Sequence, residues 1–214
     1  MAIKNIFFDF DGVLAESVNI KTEAFRSMYL PYGDEFAQRV VDYHLNNGGI
    51  SRFEKFEIWN GEWLGEVLTK EKISNLASQF SNLVMSGVIA ADEVKGARQF
   101  LDNGEDYRKY IITGTPTLEI RPILEGRNMS QFFEGIYGSP EKKSYWVAKI
   151  IKEESLKAEE CVFVGDALAD YKAARDNNLT FILRETDDGM KLFKDYNGIR
   201  ITDLQNLKEV LDEL

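Results

Sequence analysis

Asp9, Asp11, Thr113, Lys143, Asp166 and Asp170 are the residues whose types and spacing could do chemistry together. Asp9 and Asp11 close the run Ile6-Phe7-Phe8-Asp9-Phe10-Asp11-Gly12-Val13, where an apolar stretch leads straight into two carboxylates and a glycine. Side chains alternate along a strand, so the two acids are expected on one side of it. Acids at the mouth of a buried strand are costly unless something positive holds them. An all-oxygen donor set of this kind suits Mg2+. A carboxylate can also attack phosphorus and form an acyl phosphate, which splits one hard hydrolysis into two easier steps. Taken singly, Thr113 or Asp166 reads as a turn former or helix cap. Taken in order, each at the end of an apolar strand, the six residues read as one site.

The elements that must position them follow from the pattern. Short apolar runs at Ile3–Phe8, Tyr110–Ile112, Gly135–Gly138, Cys161–Val164 and Thr180–Leu183 read as strands, the first buried on both faces. Helical spacing lies between them, at about 93–103, 116–125 with Thr115 as N-cap and Pro116 in the first turn, up to Glu154, up to Asn177, and 203–214. Strand and helix alternate, so the expected fold is α/β with a doubly wound, mostly parallel sheet. Ligands of such sheets lie beyond the carboxyl ends of the strands, where the six residues fall. Residues 15–87 carry no strand pattern and read as an inserted all-α block, with helices near 16–29, 35–46, 51–59 and 70–86. The expected division is a core of 1–14 with 88–214 and a helical cap of 15–87, hinged near Ala15–Glu16 and Ser86–Gly87.

Composition narrows the function classes. The 214 residues are 44 % apolar, enough for a real core. The net charge of −10 argues against bulk attraction to nucleic acid or an anionic membrane. Cys161 is the one cysteine and opens a strand, so neither a disulfide framework nor a cysteine zinc site is expected. No apolar run approaches the ~18 residues of a membrane span. A cytoplasmic protein, monomeric or a weak homodimer, is the expectation.

The ordered motifs resemble the haloacid dehalogenase superfamily over nearly the whole chain. Asp9-Phe10-Asp11-Gly12-Val13 is similar to the family's first motif, Ile111-Ile112-Thr113-Gly114 to its second, the Lys143 of Gly138-Ser139-Pro140-Glu141-Lys142-Lys143 to its third, and Gly165-Asp166-Ala167-Leu168-Ala169-Asp170 to its acidic fourth. The helical block stands where the family inserts a small α-helical cap. The resemblance implies a Mg2+-dependent phosphatase acting on a small phosphate monoester, a sugar phosphate or a phosphoglycolate-like compound. Asp9 would be the nucleophile, Asp11 the general acid/base, and Thr113 and Lys143 the phosphoryl ligands. Asp9, Asp11 (through its carbonyl), Asp166 and, less directly, Asp170 would hold the metal. Two close carboxylates cannot both ionise cheaply, so a protonated Asp11, or one sharing a proton, is expected.

Gly114, Thr115 and Lys142 are expected to contribute to substrate binding, with Lys143 favoured over its neighbour for the site itself. Gly49-Ile50-Ser51-Arg52-Phe53 is similar to the cap loop of β-phosphoglucomutase-like members, which makes Arg52 the first candidate for a substrate contact and Lys55 a weaker one. His44 is expected to be structural, and Trp59 and Trp63 to pack cap helices. Glu16 and Asn19 depart from the residues common in that branch, so no named specificity follows. The alternatives are a sugar phosphomutase on the same scaffold and a phospho-acceptor receiver domain. The receiver is disfavoured because the acceptor lies on the first strand and a helical block is inserted after it.

Overall fold

The computed structural model describes residues 2–104, 106–186 and 191–214. Its centre is β1 (Asn5–Phe8), whose residues are all buried. Ile6 and Phe8 face one apolar cluster and Phe7 the other. A strand covered on both faces must be apolar at every position, which accounts for the unbroken run. Phe7 stacks on Tyr110 and Phe163 of the neighbouring strands, with ring centroids 5.2 and 6.4 Å away.

Among the described residues the sheet has six strands, all paired in parallel: β1, β2 (Arg108–Pro116), β3 (Gly135–Ser139), β4 (Cys161–Gly165), β5 (Thr180–Arg184) and β6 (Ile199–Ile201), in the order β3-β2-β1-β4-β5-β6. The order reverses between β1 and β4, and a crevice opens at that point. Register sets what meets there. Phe8 pairs with Ile111 on one side and Val164 on the other. Asp9 and Asp166 therefore leave the sheet beside Thr113, which lies within β2.

Helices α5 (Ala97–Asn103), α6 (Thr117–Gly126), α7 (Lys143–Glu153), α8 (Leu168–Asp176) and α9 (Leu207–Asp212) belong to the sheet's two faces and edge. Three expectations are corrected here. Strand β2 runs on through Pro116, so α6 starts at Thr117 and Thr115 is not its cap. Strand β6 was not anticipated; its three residues are too short for a period to show. The last helix covers Leu207–Asp212, because Asp203 uses its side chain to accept the Gln205 N–H in a turn ahead of it.

Between β1 and α5 the chain is helical: α1 (Val18–Tyr29), α2 (Asp34–Asn46), α3 (Arg52–Phe56), a π-helical turn Glu57–Trp63 and α4 (Lys70–Ala90). Helix α4 passes unbroken through Ser86 and Gly87. The return to the sheet falls instead beside residue 92, where the Glu16 N–H donates to the Asp92 carbonyl at 2.9 Å and the two connecting segments pair. An aromatic cluster joins the helices: Trp59 is fully buried with its ring edge-on to Phe25, Tyr29, Tyr43 and Phe56. Trp63 packs on Phe36 and Tyr43 and lies under the Arg39 guanidinium. Trp59→Phe removes part of a ring that nothing can replace and is expected to destabilise the protein by about 1–3 kcal/mol, read as a lower midpoint in urea unfolding.

Candidate active site

The chain leaves β1 at Phe8 and turns at once. Asp9 donates its N–H to the Val164 carbonyl at 3.0 Å, and its side chain takes the Phe10 N–H at 2.7 Å. Gly12 has φ +75°, and a Cβ there would come within 2.3 Å of the Asp166 carboxylate. Glycine at this position therefore serves both the turn and the close approach of the β4 end.

Lys143, first residue of α7, is buried and reaches Asp9 at 2.7 Å and Asp170 at 2.6 Å. The other Asp170 oxygen accepts the Ala167 N–H at 3.1 Å. Asp170 thus fixes both the lysine and the loop that carries Asp166. Lys142 is solvent-exposed and stands outside this cluster. Asp9, Asp166 and Asp170 each bring a carboxylate oxygen within 4.8 Å of the others.

Three acids so close strain the electrostatics. Burial, opposed by Lys143 and reinforced by Asp170, pushes the Asp9 carboxyl up to about 7. Burial, then Asp9 and Asp170, push Asp166 well above the usual carboxylate range. Among the described residues Asp166 has no ion-pair partner. Burial lowers Lys143, but Asp170 and Asp9 outweigh it and hold the ammonium charged. The cluster has more negative charge than Lys143 offsets, and its donors are all oxygen. That is what a hard divalent cation fits.

Asp11 behaves differently. Its carboxylate turns to Ser17 Oγ at 2.6 Å, to Lys21 Nζ and to Thr115 Oγ1, and Lys21 also donates to Thr115 Oγ1 at 2.7 Å. Burial raises Asp11, yet Lys21 and Ser17 win and the carboxyl ends below its ordinary value. The expected protonated Asp11 is therefore corrected: the elevated carboxyls are Asp9 and Asp166. Lys21 was missed in the sequence. The signal was present, since Lys21 sits on the buried stripe of α1 between Val18 and Phe25, where a solvated lysine has no place.

Thr113 is buried, and its hydroxyl accepts the Thr115 N–H at 3.2 Å. Gly114 lies against the cap loop: a Cβ there would meet the Gly49 carbonyl at 2.8 Å. Arg52 is neither a surface residue nor a free guanidinium. It is buried, forms paired hydrogen bonds with Glu119 of α6 at 2.9 and 2.6 Å, bonds Ser81 at 2.8 Å and stacks on Phe80. It clasps the helical block to the sheet domain. Arg52→Ala is expected to lower stability by ~2–3 kcal/mol, somewhat less than a typical broken buried pair because Ser81 still serves Glu119. Adding Glu119→Gln should recover part of the loss, and thermal melts of the single and double variants measure both.

Thr113, Lys142 and Lys143 line one cavity, of about 280 Å³, and an adjoining one that shares Gly49 and Gly114 with it measures about 90 Å³. Asp9, Asp11, Asp166, Gly114 and Thr115 form the floor of the smaller one, and Lys21, His44, Arg52 and Lys55 its helical walls.

A family model for haloacid dehalogenase-like hydrolases matches residues 6–183, all four strand-end motifs included. The chain belongs to the haloacid dehalogenase-like hydrolases. A phosphoglycolate phosphatase of Colwellia psychrerythraea is 26 % identical over 183 residues, covering 81 % of this chain and 80 % of its own. A predicted phosphatase from Clostridium acetobutylicum superimposes with a TM-score of 0.77 at 18 % identity, over 100 % of both chains. A β-phosphoglucomutase from Clostridium difficile does so with a TM-score of 0.74 at 17 % identity, over 99 % of this chain and 98 % of its own. The two structures share the fold. Family and curated relatives together make this haloacid dehalogenase-like hydrolase a phosphatase. Among the described residues no helix is long and apolar enough to cross a membrane.

Proposed function

We propose that this phosphatase hydrolyses a small phosphate monoester through an aspartyl-phosphate on Asp9. The observation that carries the reading is Lys143 seated between Asp9 and Asp170, with Asp166 beside them, at the switch point of the sheet. In the first half-reaction an Asp9 carboxylate oxygen bonds to phosphorus as the bond to the leaving alkoxide breaks, and Asp11 gives that oxygen a proton. In the second, Asp11 takes a proton from water as the water oxygen bonds to phosphorus, and the Asp9 carboxylate is released.

Asp11 as found, ionised and held by Lys21 and Ser17, is set for the second half. Serving the first requires its carboxylate to leave them and take up a proton near the substrate. The Thr113 hydroxyl, its oxygen already accepting from Thr115, has its hydrogen free to donate to a phosphoryl oxygen. Lys143 supplies fixed positive charge, and Gly114 lies on the same rim. Mg2+, held by the Asp9 and Asp166 carboxylates and the Asp11 carbonyl, would supply the charge that lets an anionic nucleophile approach a phosphate dianion. The closed cap limits water to what the reaction uses. The small cavity and the relatives named phosphoglycolate phosphatase favour a compact substrate.

The test is a phosphate-release screen over sugar, glycolate and nucleotide monophosphates, with and without Mg2+. Mg2+-dependent turnover on a compact ester is expected. Stoichiometric phosphorylation without turnover, or isomerised product in place of free phosphate, would overturn it.

A further inference from the structure

Of the four basic groups on the cavity's helical walls, two are committed elsewhere. Lys21 is paired with Asp11 and Arg52 with Glu119. Lys55 is different: it is 2 % exposed, and among the described residues no carboxylate pairs with it. Its one polar partner is His44 Nδ1 at 2.7 Å. A protonated lysine has no acceptor to offer, so His44 accepts at Nδ1 and must carry its own hydrogen at Nε2. His44 Nε2 is buried and, among the described residues, has no hydrogen-bond partner. Phe25 packs against the imidazole, ring centroids 4.9 Å apart, and fixes its plane. A buried cation without a counterion and a buried donor without an acceptor are each costly. Here they stand together, on the wall of the cavity whose floor holds Asp9. Among the described residues Lys55 lacks a counterion; His44 Nε2, on the far side of the ring from Lys55, lacks an acceptor.

We propose that Lys55, positioned by His44, forms a second anion subsite that receives a carboxylate on the leaving group, so that the substrate is a phosphorylated short-chain acid. This rests on the phosphatase reading of the Asp9 site and names the class of ester it takes. On the Lys55 side of Asp9 the cavity measures about 90 Å³, against roughly 300 Å³ or more for a pocket that takes a drug-sized ligand, which leaves room there for a few heavy atoms between phosphorus and carboxylate. Burial, and then Lys21, hold the Lys55 ammonium down at about 7, with Arg52 and Lys143 adding to the effect and Asp11 opposing it. Burial and Lys55 keep His44 well below its usual value and neutral. A bound carboxylate would restore the full charge of Lys55.

The experiment compares kcat/KM for 2-phosphoglycolate and for ethyl phosphate, which lacks the carboxylate, in wild type, Lys55→Met and His44→Phe, with Mg2+ present. Wild type is expected to prefer the acid at least tenfold. Lys55→Met should reduce that preference at least tenfold, chiefly through KM, and His44→Phe by a smaller factor in the same direction. Glycolate should inhibit wild type competitively and the Lys55→Met enzyme far less, a readout independent of substrate turnover. The wild-type preference should fall as pH rises above about 7, because the free enzyme then loses the Lys55 proton; taking the ratio of the two substrates cancels the titration of Asp9. Removing a buried charge that has no counterion offsets the loss of the hydrogen bond to His44 Nδ1, so the Lys55→Met melting temperature should stay close to wild type and a fall in preference cannot be ascribed to unfolding. Equal kcat/KM for both esters, or a preference that survives Lys55→Met, overturns the subsite and leaves the phosphatase reading standing. Turnover of neither ester, with phosphate still released from another ester of the wider screen, overturns the subsite alone; release from no ester of that screen overturns both.

Discussion

Asp9→Asn is expected to lose roughly 10⁴-fold or more in kcat, the scale on which removing a nucleophile acts, while the protein stays folded. The amide keeps the shape of the side chain and its contact with the Phe10 N–H. Lys143 keeps Asp170 as its counterion. What disappears is the oxygen that bonds to phosphorus. The pH dependence of stability should change as well. The Asp9 carboxyl is raised from 3.8 to about 7, chiefly by burial. An acid whose folded value lies above its unfolded value binds more protons in the folded state across that window, so without metal its contribution to stability declines as pH rises from about 4 to 7. Asp9→Asn removes that decline, and melts in chelator at pH 5 and pH 7.5, about the two ends of the window, would show the difference shrink. A variant retaining wild-type turnover would remove Asp9 from the mechanism.

Lys143→Met is expected to do two kinds of damage. It leaves Asp9, Asp166 and Asp170 close together with no cation among them, and breaking a buried pair in this way costs about 3–5 kcal/mol. For a chain of this size that corresponds to a fall of roughly 6–20 °C in melting temperature. It also removes the fixed charge facing the phosphoryl group, for which a loss of ~10²–10³ in kcat is reasonable. The two effects separate by design. Lys143→Met with Asp170→Asn has one fewer uncompensated acid and should regain part of the stability without regaining activity, a coupling expected for groups in direct contact. Added Mg2+ should raise the melting temperature of the single variant more than that of wild type. A melting temperature within a degree or two of wild type would mean that the three acids are not held together by this lysine.

The sheet and the strand-end groups were legible because both follow local rules. The run Ile6–Phe8 is apolar at successive positions, as a strand covered on both faces requires, and Asp9, Thr113 and Asp166 each stand just beyond such a run. The same logic could not reach Arg52. Its partner Glu119 is 67 residues away on another helix, and no local pattern joins the two. Lys21 was passed over and Lys55 ranked second for a related reason: a lysine in a helix normally belongs to a solvated face, and here both are buried under the helical block. Arg52 and Lys55 both line the smaller cavity, and we place Lys55 ahead of Arg52 there. Arg52 is the better phosphate ligand by type, but its charge is already matched, whereas that of Lys55 is not. Strand β2 was read as ending before Pro116 because proline after threonine looks like a helix start. In the sheet Pro116 pairs with Ser139 at a break in register, where a missing N–H is tolerated.

The most direct measurement is chemical capture of the intermediate. Enzyme turning over a compact phosphate ester in Mg2+ is quenched and treated with borohydride, which reduces an acyl phosphate but not a free carboxylate, and the peptides are mass-analysed. The account predicts homoserine at position 9 and at no other acid, with the signal absent from Asp9→Asn. Homoserine at position 11, 166 or 170, or rapid turnover with Asp9 unmodified throughout, would contradict it.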